Sequence, residues 1–327
     1  MEIKRRIPTM SGISINATAA SAVALLTGST SALERTNKVV ASGKEVNAAQ
    51  DNAAYWSIAK SMSSNSTSMS AAMDASGLAQ ATADTAALGM EQATNLVSDI
   101  RNKLILAKSV SGTQRDAVNA EISQLKEQLS SVSESTSFSG QNWLSTGAAE
   151  KPGTTSLVAG VSANEDSSIN VETLDFDTNT TNLVAKGDAA DGLLTKSYTG
   201  TTPAGNAYDY KLLDAGSTTP SSGQEISVSA NTTNDELDGM ISAMDGMLSS
   251  MTDAGAKLGA TQSRITMNTD FMQRMQDVTD RSVARLVDAN MEEQAVNMAA
   301  QKVQVQLQTT ALNIANQQPQ NMLMLFA

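Results

Sequence analysis

The sequence predicts a mainly α chain, a long bundle of amphipathic helices interrupted by a small β-rich insert. Three observations predict it. Apolar residues recur at three- and four-residue spacing on both flanks. Short alternating runs separated by turn residues fill the middle. Charge and composition also change between the regions: residues 145–235 hold 12 acids against 4 bases, three of the five prolines and nine of the 20 glycines, whereas residues 1–144 hold 12 of each charge.

Taken in order, the chain opens with Lys4, Arg5 and Arg6 and then carries no charged residue from Ile7 to Leu33. The basic start resembles the charged region of a secretory signal, but Ser, Thr, Asn and Gly break the apolar stretch that should follow, so no cleaved signal peptide is expected. The apolar runs near the ends, such as Ala22 to Leu26, are far below the roughly 20 residues that span a bilayer. Before the insert, Ile122, Leu125, Leu129 and Val132 follow helical spacing. Within it, Ser156–Ser162, Ser168–Phe176, Ala207–Leu213 and Glu225–Ala230 read as strands bounded by turns.

After the insert the helical period returns. Leu237, Met244, Met251, Leu258, Ile265 and Met272 keep a strict seven-residue row, a stripe of about 54 Å at 1.5 Å per residue that an equally long element must cover. The last segment, Val303 to Ala327, is again uncharged. Ala300, Leu307 and Ile314 lie seven apart there, with Val296 and Val303 between them and Gln and Asn on the other faces. Uncharged helices of this kind suit burial, either against each other or against copies of the same chain, and the two arrangements are compatible.

Composition excludes much chemistry. There is no Cys and no His, which removes thiolate and imidazole metal sites, disulfides and histidine-dependent triads. A net charge of -12 opposes binding to a phosphate backbone. Ser57-Ile58-Ala59-Lys60 and Ser123-Gln124-Leu125-Lys126 match S-x-x-K without its partner motifs. Asp175, Asp177 and Asn179 begin like a calcium loop, but Thr180 and Lys186 stand where Gly and Glu are needed. Glu292 and Glu293 are adjacent and point about 100° apart on a helix, so they do not face each other as an acid/base pair. The 17 methionines sit largely at core spacings. No catalytic residue, metal or cofactor is expected.

Both ends carry ordered motifs. These are Ile15-Asn16, Ala24-Leu25, Ser42-Gly43, Asn47-Ala48-Ala49 and Asp51-Asn52-Ala53-Ala54 at one end, with Ala284-Arg285-Leu286-Val287-Asp288-Ala289-Asn290 and Ala315-Asn316-Gln317-Gln318-Pro319-Gln320-Asn321-Met322-Leu323 at the other. In order and spacing they resemble the bacterial flagellins. Tyr55-Trp56-Ser57-Ile58-Ala59 and Phe138-Ser139-Gly140-Gln141-Asn142-Trp143-Leu144 resemble the rhizobial and alphaproteobacterial branch. The resemblance covers both flanks and leaves the insert without a family pattern.

The resemblance implies a structural subunit of the flagellar filament, outside the cell, with paired terminal helices forming an inner tube. It implies this layout: an atypical extension over 1–10, inner-tube helices over 11–45 and 291–327, a bundle over 46–144 and 236–290, and a variable outer domain over 145–235. The implied partners are copies of the chain, sister flagellins, and the export chaperone, cap and hook-junction proteins. Export through the flagellar type III channel is implied as well. The subunit-interface candidates are Leu25, Leu26, Leu33, Val303, Leu307, Ile314 and Leu323.

Two departures stand out. Family members begin near Met10, so a mature start there is expected. The segment Lys38–Ala59 resembles one sensed by plant immune receptors, yet it has Asn52, Tyr55 and Trp56 after Asp51 where a second Asp and Gly-Leu are common. Val97–Asn102 lacks the basic pattern sensed by the animal Toll-like receptor, so weak recognition by both is expected, with packing as the primary role of Tyr55 and Trp56. The alternative within the apparatus is a hook-filament junction protein. A chemoreceptor fragment would need a membrane span.

Overall fold

The structure is a computed structural model that describes the backbone of residues 16–163 and 169–326 and the side chains of residues 16–162 and 170–317. The extension over 1–10, Ile15 and the side chain of Leu323 lie outside the described residues. The elements are α1 (Ala17–Ser42), α2 (Ala53–Ser109), α3 (Thr113–Ser135), β1 (Ser145–Thr146), β2 (Thr154–Ala163), β3 (Ile169–Asp177), β4 (Val184–Ala185), β5 (Tyr198–Thr201), β6 (Ala207–Lys211), β7 (Gln224–Glu225), α4 (Asn234–Val287) and α5 (Met291–Phe326). The mainly helical chain with a small β insert is the fold class that the sequence predicts. The chain divides into two compact units, one made of its two ends up to Ser64 and from Thr279, the other of Asn65–Val278.

In the larger unit the seven-residue row of α4 is buried along its whole length, from Leu237 to Met272. From Leu237 to Ile265 it shares one core with α2 and α3. The core face of α2 is small over Ala79, Ala83, Ala86 and Ala93, which lie opposite the Ala254–Ile265 stretch of α4, and larger over Leu96, Val97, Ile100 and Leu104, which lie opposite Met240, Met244, Met247 and Met251. Polar contacts fix the register: Gln262 to Asp84 at 2.8 Å, Asp245 to Arg101 at 2.5 Å and Asp238 to Lys108 at 2.5 Å. The numbers rise along α2 as they fall along α4, so the helices are antiparallel. Ile122 and Leu129 bring α3 into the same core.

Among the described residues the insert holds three small sheets. β1 pairs in parallel with β4, β2 and β3 form an antiparallel hairpin with a bulge between Val158 and Gly160, and β6 lies between β5 and β7. Its apolar side chains do not make a separate core. Leu157, Leu174, Phe176, Leu194, Tyr210, Leu212 and Ile226 join the cluster of the helices, and Trp143 stacks on Phe176 at 4.6 Å between centroids. The strands expected over 156–162, 168–176 and 207–213 are present as β2, β3 and β6.

Two details differ from the reading. β5 was not among the expected strands; its Gly200 lies against the backbone of Gly239 in α4, where any side chain would collide. Residues 226–230, expected as a strand, belong to no sheet, because side chains of α3 satisfy several of their backbone groups, as described below. No helix among the described residues is long and apolar enough to cross a membrane.

Candidate assembly interface

The smaller unit contains the uncharged ends. Asn16 caps α1, its side chain accepting from the backbone N–H of Ala19 at 3.2 Å while its Nδ2 donates to the carbonyl of Ala315 in α5 at 3.0 Å. At its other end α1 stops at Gly43, whose φ of 68° is the left-handed conformation that closes a helix at little steric cost for glycine. There Gly43 accepts from Ala289, Glu45 donates to Val287, and Lys44 bridges Asp288. α1 and α5 therefore pack as an antiparallel pair.

The half-buried residues define the seam. On α1 they include Ala19, Ala22, Leu26, Ser29, Leu33 and the fully buried Thr36; on α5 they are Gln294, Met298, Gln301, Val305, Gln308, Leu312 and Ala315. Both rows alternate steps of three and four, the spacing of a coiled coil. More than half of each row is polar or small, and the Oε1 atoms of Gln301 and Gln308 are buried with no hydrogen-bond partner among the described residues. An acceptor left this way costs about 1–3 kcal/mol, which weakens this pairing.

The strongly apolar row of α5 points the other way. Val296, Val303, Leu307 and Ile314 are 69%, 54%, 66% and 61% exposed. Val303 stands two positions beyond Gln301, about 200° around the helix. α5 thus gives a half-polar face to α1 and an aliphatic face to the outside. α1 adds Leu25, 63% exposed, and Val23.

Two family models match these flanks: the bacterial flagellin N-terminal helical region over residues 13–149 and the C-terminal helical region over residues 241–326. Flagellin C of Rhizobium meliloti (strain 1021) is 40% identical over 321 residues, covering 97% of this chain and 99% of its own. The chain belongs to the flagellin family. Flagellin A of the same strain is 32% identical, with 97% of this chain and 100% of the relative covered, and a flagellin of Brucella melitensis biotype 1 is 29% identical over 97% and 99%. Flagellins are structural proteins, and the chain is a structural subunit of the bacterial flagellar filament.

In this flagellin the candidate interface residues fall into two sets. Leu25, Val303, Leu307 and Ile314 lie outward, while Leu26 and Leu33 lie in the half-buried row of α1. Val23, also exposed on α1 but about 200° around the helix from Leu25, was not among the candidates. The sequence reading also missed the inner row of Met298, Val305 and Leu312, because glutamines interrupt that row and hide its period.

The segment Asp51 to Trp56 forms the start of α2. Asp51 accepts from the N–H groups of Asn47 and Ala48 at 3.1 and 2.9 Å, and Asn52 accepts from Tyr55 at 3.1 Å as an N-cap. Trp56 packs on a small core of Val46, Ala59 and Val287, whereas Tyr55 is 48% exposed. Tyr55 borders an open recess of about 820 Å³ whose rim mixes Arg35, Lys38, Lys44 and Arg285 with Glu45, Asp51 and Asp288. Among the described residues no group of acidic side chains is placed to hold a metal ion.

Proposed function

We propose that the outward row of Leu25, Val303, Leu307 and Ile314 is the surface through which copies of this chain, and sister flagellins, bind one another in the filament. The observation that carries this is the pair of opposite faces on α5. The intramolecular partner takes the half-polar face and leaves the aliphatic one uncovered, and an aliphatic stripe of that length on a helix end has a partner. Burying it contributes roughly 25 cal/mol per Å² of apolar area before ordering costs. Because the α1–α5 seam is itself weak, ordering the ends and assembling them are coupled, which sets a threshold concentration for growth.

On this reading residues 11–45 and 291–327 form the inner layer, 46–144 and 236–290 the bundle, and 145–235 the outer domain. Leu323 belongs to the same contact layer. The mechanism is packing, without catalysis. The chain leaves the cell through the flagellar type III channel without a cleaved signal peptide, and meets its chaperone, the cap and the hook-junction proteins on the way. The hook-filament junction alternative is set aside because the relatives that match end to end are flagellins.

Removing residues 303–327 tests the proposal. The truncated chain is expected to keep the folded core of α2, α3, α4 and the insert by circular dichroism and to form no filaments by electron microscopy. Normal filaments from it would overturn the proposal.

A further inference from the structure

Past β7 the chain runs through residues 226–233 in no strand, yet its backbone groups are bound. The partners are side chains on one face of α3. Lys126 Nζ donates to the carbonyl of Ile226 at 2.5 Å and pairs with Glu225 at 2.7 Å. The N–H of Val228 donates to Asn119 Oδ1 at 2.8 Å, and that of Ala230 to Asp116 Oδ1 at 3.0 Å. Arg115 donates to the carbonyl of Thr232 and, at 2.7 Å, to Asn234 Oδ1 at the start of α4. The bound residues are 226, 228, 230 and 232, every second one, running opposite to α3.

We propose that residues 224–233 form a strap recognised through its backbone by the 115–119–126 face of α3, and that its docking locks the insert and the helical bundle into one cooperative folding unit. The geometry allows such recognition because two residues of extended chain advance about 6.6 Å and one helical turn about 5.4 Å. Polar side chains three or four apart on a helix therefore meet alternate backbone groups of a strand, and the long side chain of Lys126 spans the turn occupied by Ile122.

The docked strap buries Ile226 and Val228 completely or nearly so, in the core that also holds Ile122 and Leu129. Its first residues continue the insert, since Glu225 pairs with Lys211 of β6 and Ile226 donates to the carbonyl of Lys211 at 2.9 Å. Its last residues reach α4, where Thr233 and Glu236 form a capping box.

Arg115 joins all of these. It is buried and also donates to the carbonyls of Ala107 and Val110 at 3.1 and 2.9 Å, closing the C-terminus of α2. One side chain thus ties together the end of α2, the beginning of α3, the strap and the beginning of α4. Burial lowers the pKa of Lys126, and its hydrogen bond to and charge pairing with Glu225 oppose that, so these contacts offset part of the cost of burying its ammonium.

Hydrogen exchange by mass spectrometry on the full chain tests this. Asn119→Ala is expected to speed exchange at least about tenfold across 224–233 and, to a similar degree, in the slowest amides of α3 and of β5–β6. Asp116→Ala, at the exposed end of the strap, shifts the same three regions by less, and Asn119→Asp, which keeps the acceptor, restores slow exchange. Gln128→Ala on the exposed side of α3 leaves exchange unchanged. Faster exchange confined to the strap, with α3 and β5–β6 unaffected, would overturn the proposal, as would no change with either alanine variant.

Discussion

Gln301 and Val303 are two positions apart on α5, and they face in opposite directions. Gln301 enters the α1–α5 seam with its Oε1 buried and unpaired, while Val303 is 54% exposed. Read for hydrophobicity alone, the sequence reverses the expectation of which one is buried, which is why it disclosed the outer row of Val303, Leu307 and Ile314 and concealed the inner one. If Gln301 keeps the pair weak, Gln301→Leu relieves a buried acceptor and stabilises the pair by about 1–3 kcal/mol. The monomer of this variant is expected to be more helical at its ends, read as slower hydrogen exchange over 17–42 and 291–317. Unchanged exchange there would show that the glutamine is not what weakens the seam.

At the scale of elements, what was legible depended on where each element finds its partners. The row of α4 was readable because a strict seven-residue period survives in the sequence and every member is buried. The hairpin of β2 and β3 was readable from alternation. β5 was not, since Gly200 is chosen by the backbone of Gly239 some forty positions away, and the strap was not, since its backbone is satisfied by side chains of α3 about a hundred positions earlier.

The insert also carries the groups that set its pH range. Burial pushes the phenols of Tyr198 and Tyr210 up to about 12. A raised phenol favours the neutral form in the fold, so its contribution is present below the usual tyrosine range near 10 and is lost as pH rises toward 12. Asp214, held by the ammonium of Lys211 and the N–H of Gly216, and Asp235, held by the amide of Asn206 and the hydroxyl of Thr202, have lowered pKa values. Their contributions are present above the usual carboxylate range and are lost as pH falls through and below it. The insert is therefore expected to loosen at both extremes. In an ultraviolet titration, phenolate absorbance from Tyr198 and Tyr210 should develop only near pH 12, together with loss of the near-ultraviolet dichroism of Trp143. Ionisation near 10 with that signal intact would contradict the burial of these phenols.

For the whole molecule, the two units have different chemistry. The larger closes its own core, rich in methionine, leucine and alanine. Among the described residues the smaller has only a minor core around Val46, Ala59 and Val287, and it exposes Leu25, Val303, Leu307 and Ile314. On the proposed reading that division suits a filament subunit, with a body that has its own core and ends whose outward aliphatic face is left for neighbours to cover. The family could be read from the motifs at both ends. The division of labour between the two faces of α5 could not, because it depends on which row α1 takes.

The most direct test is the threshold concentration for filament growth of Leu307→Asp, measured by sedimentation beside the unaltered chain. Leu307 touches the outward face alone, so the account predicts a monomer with unchanged helical content and a threshold raised at least about tenfold, from losing a buried leucine and desolvating a carboxylate. An unchanged threshold would mean that the outward row of α5 is not what holds the filament together.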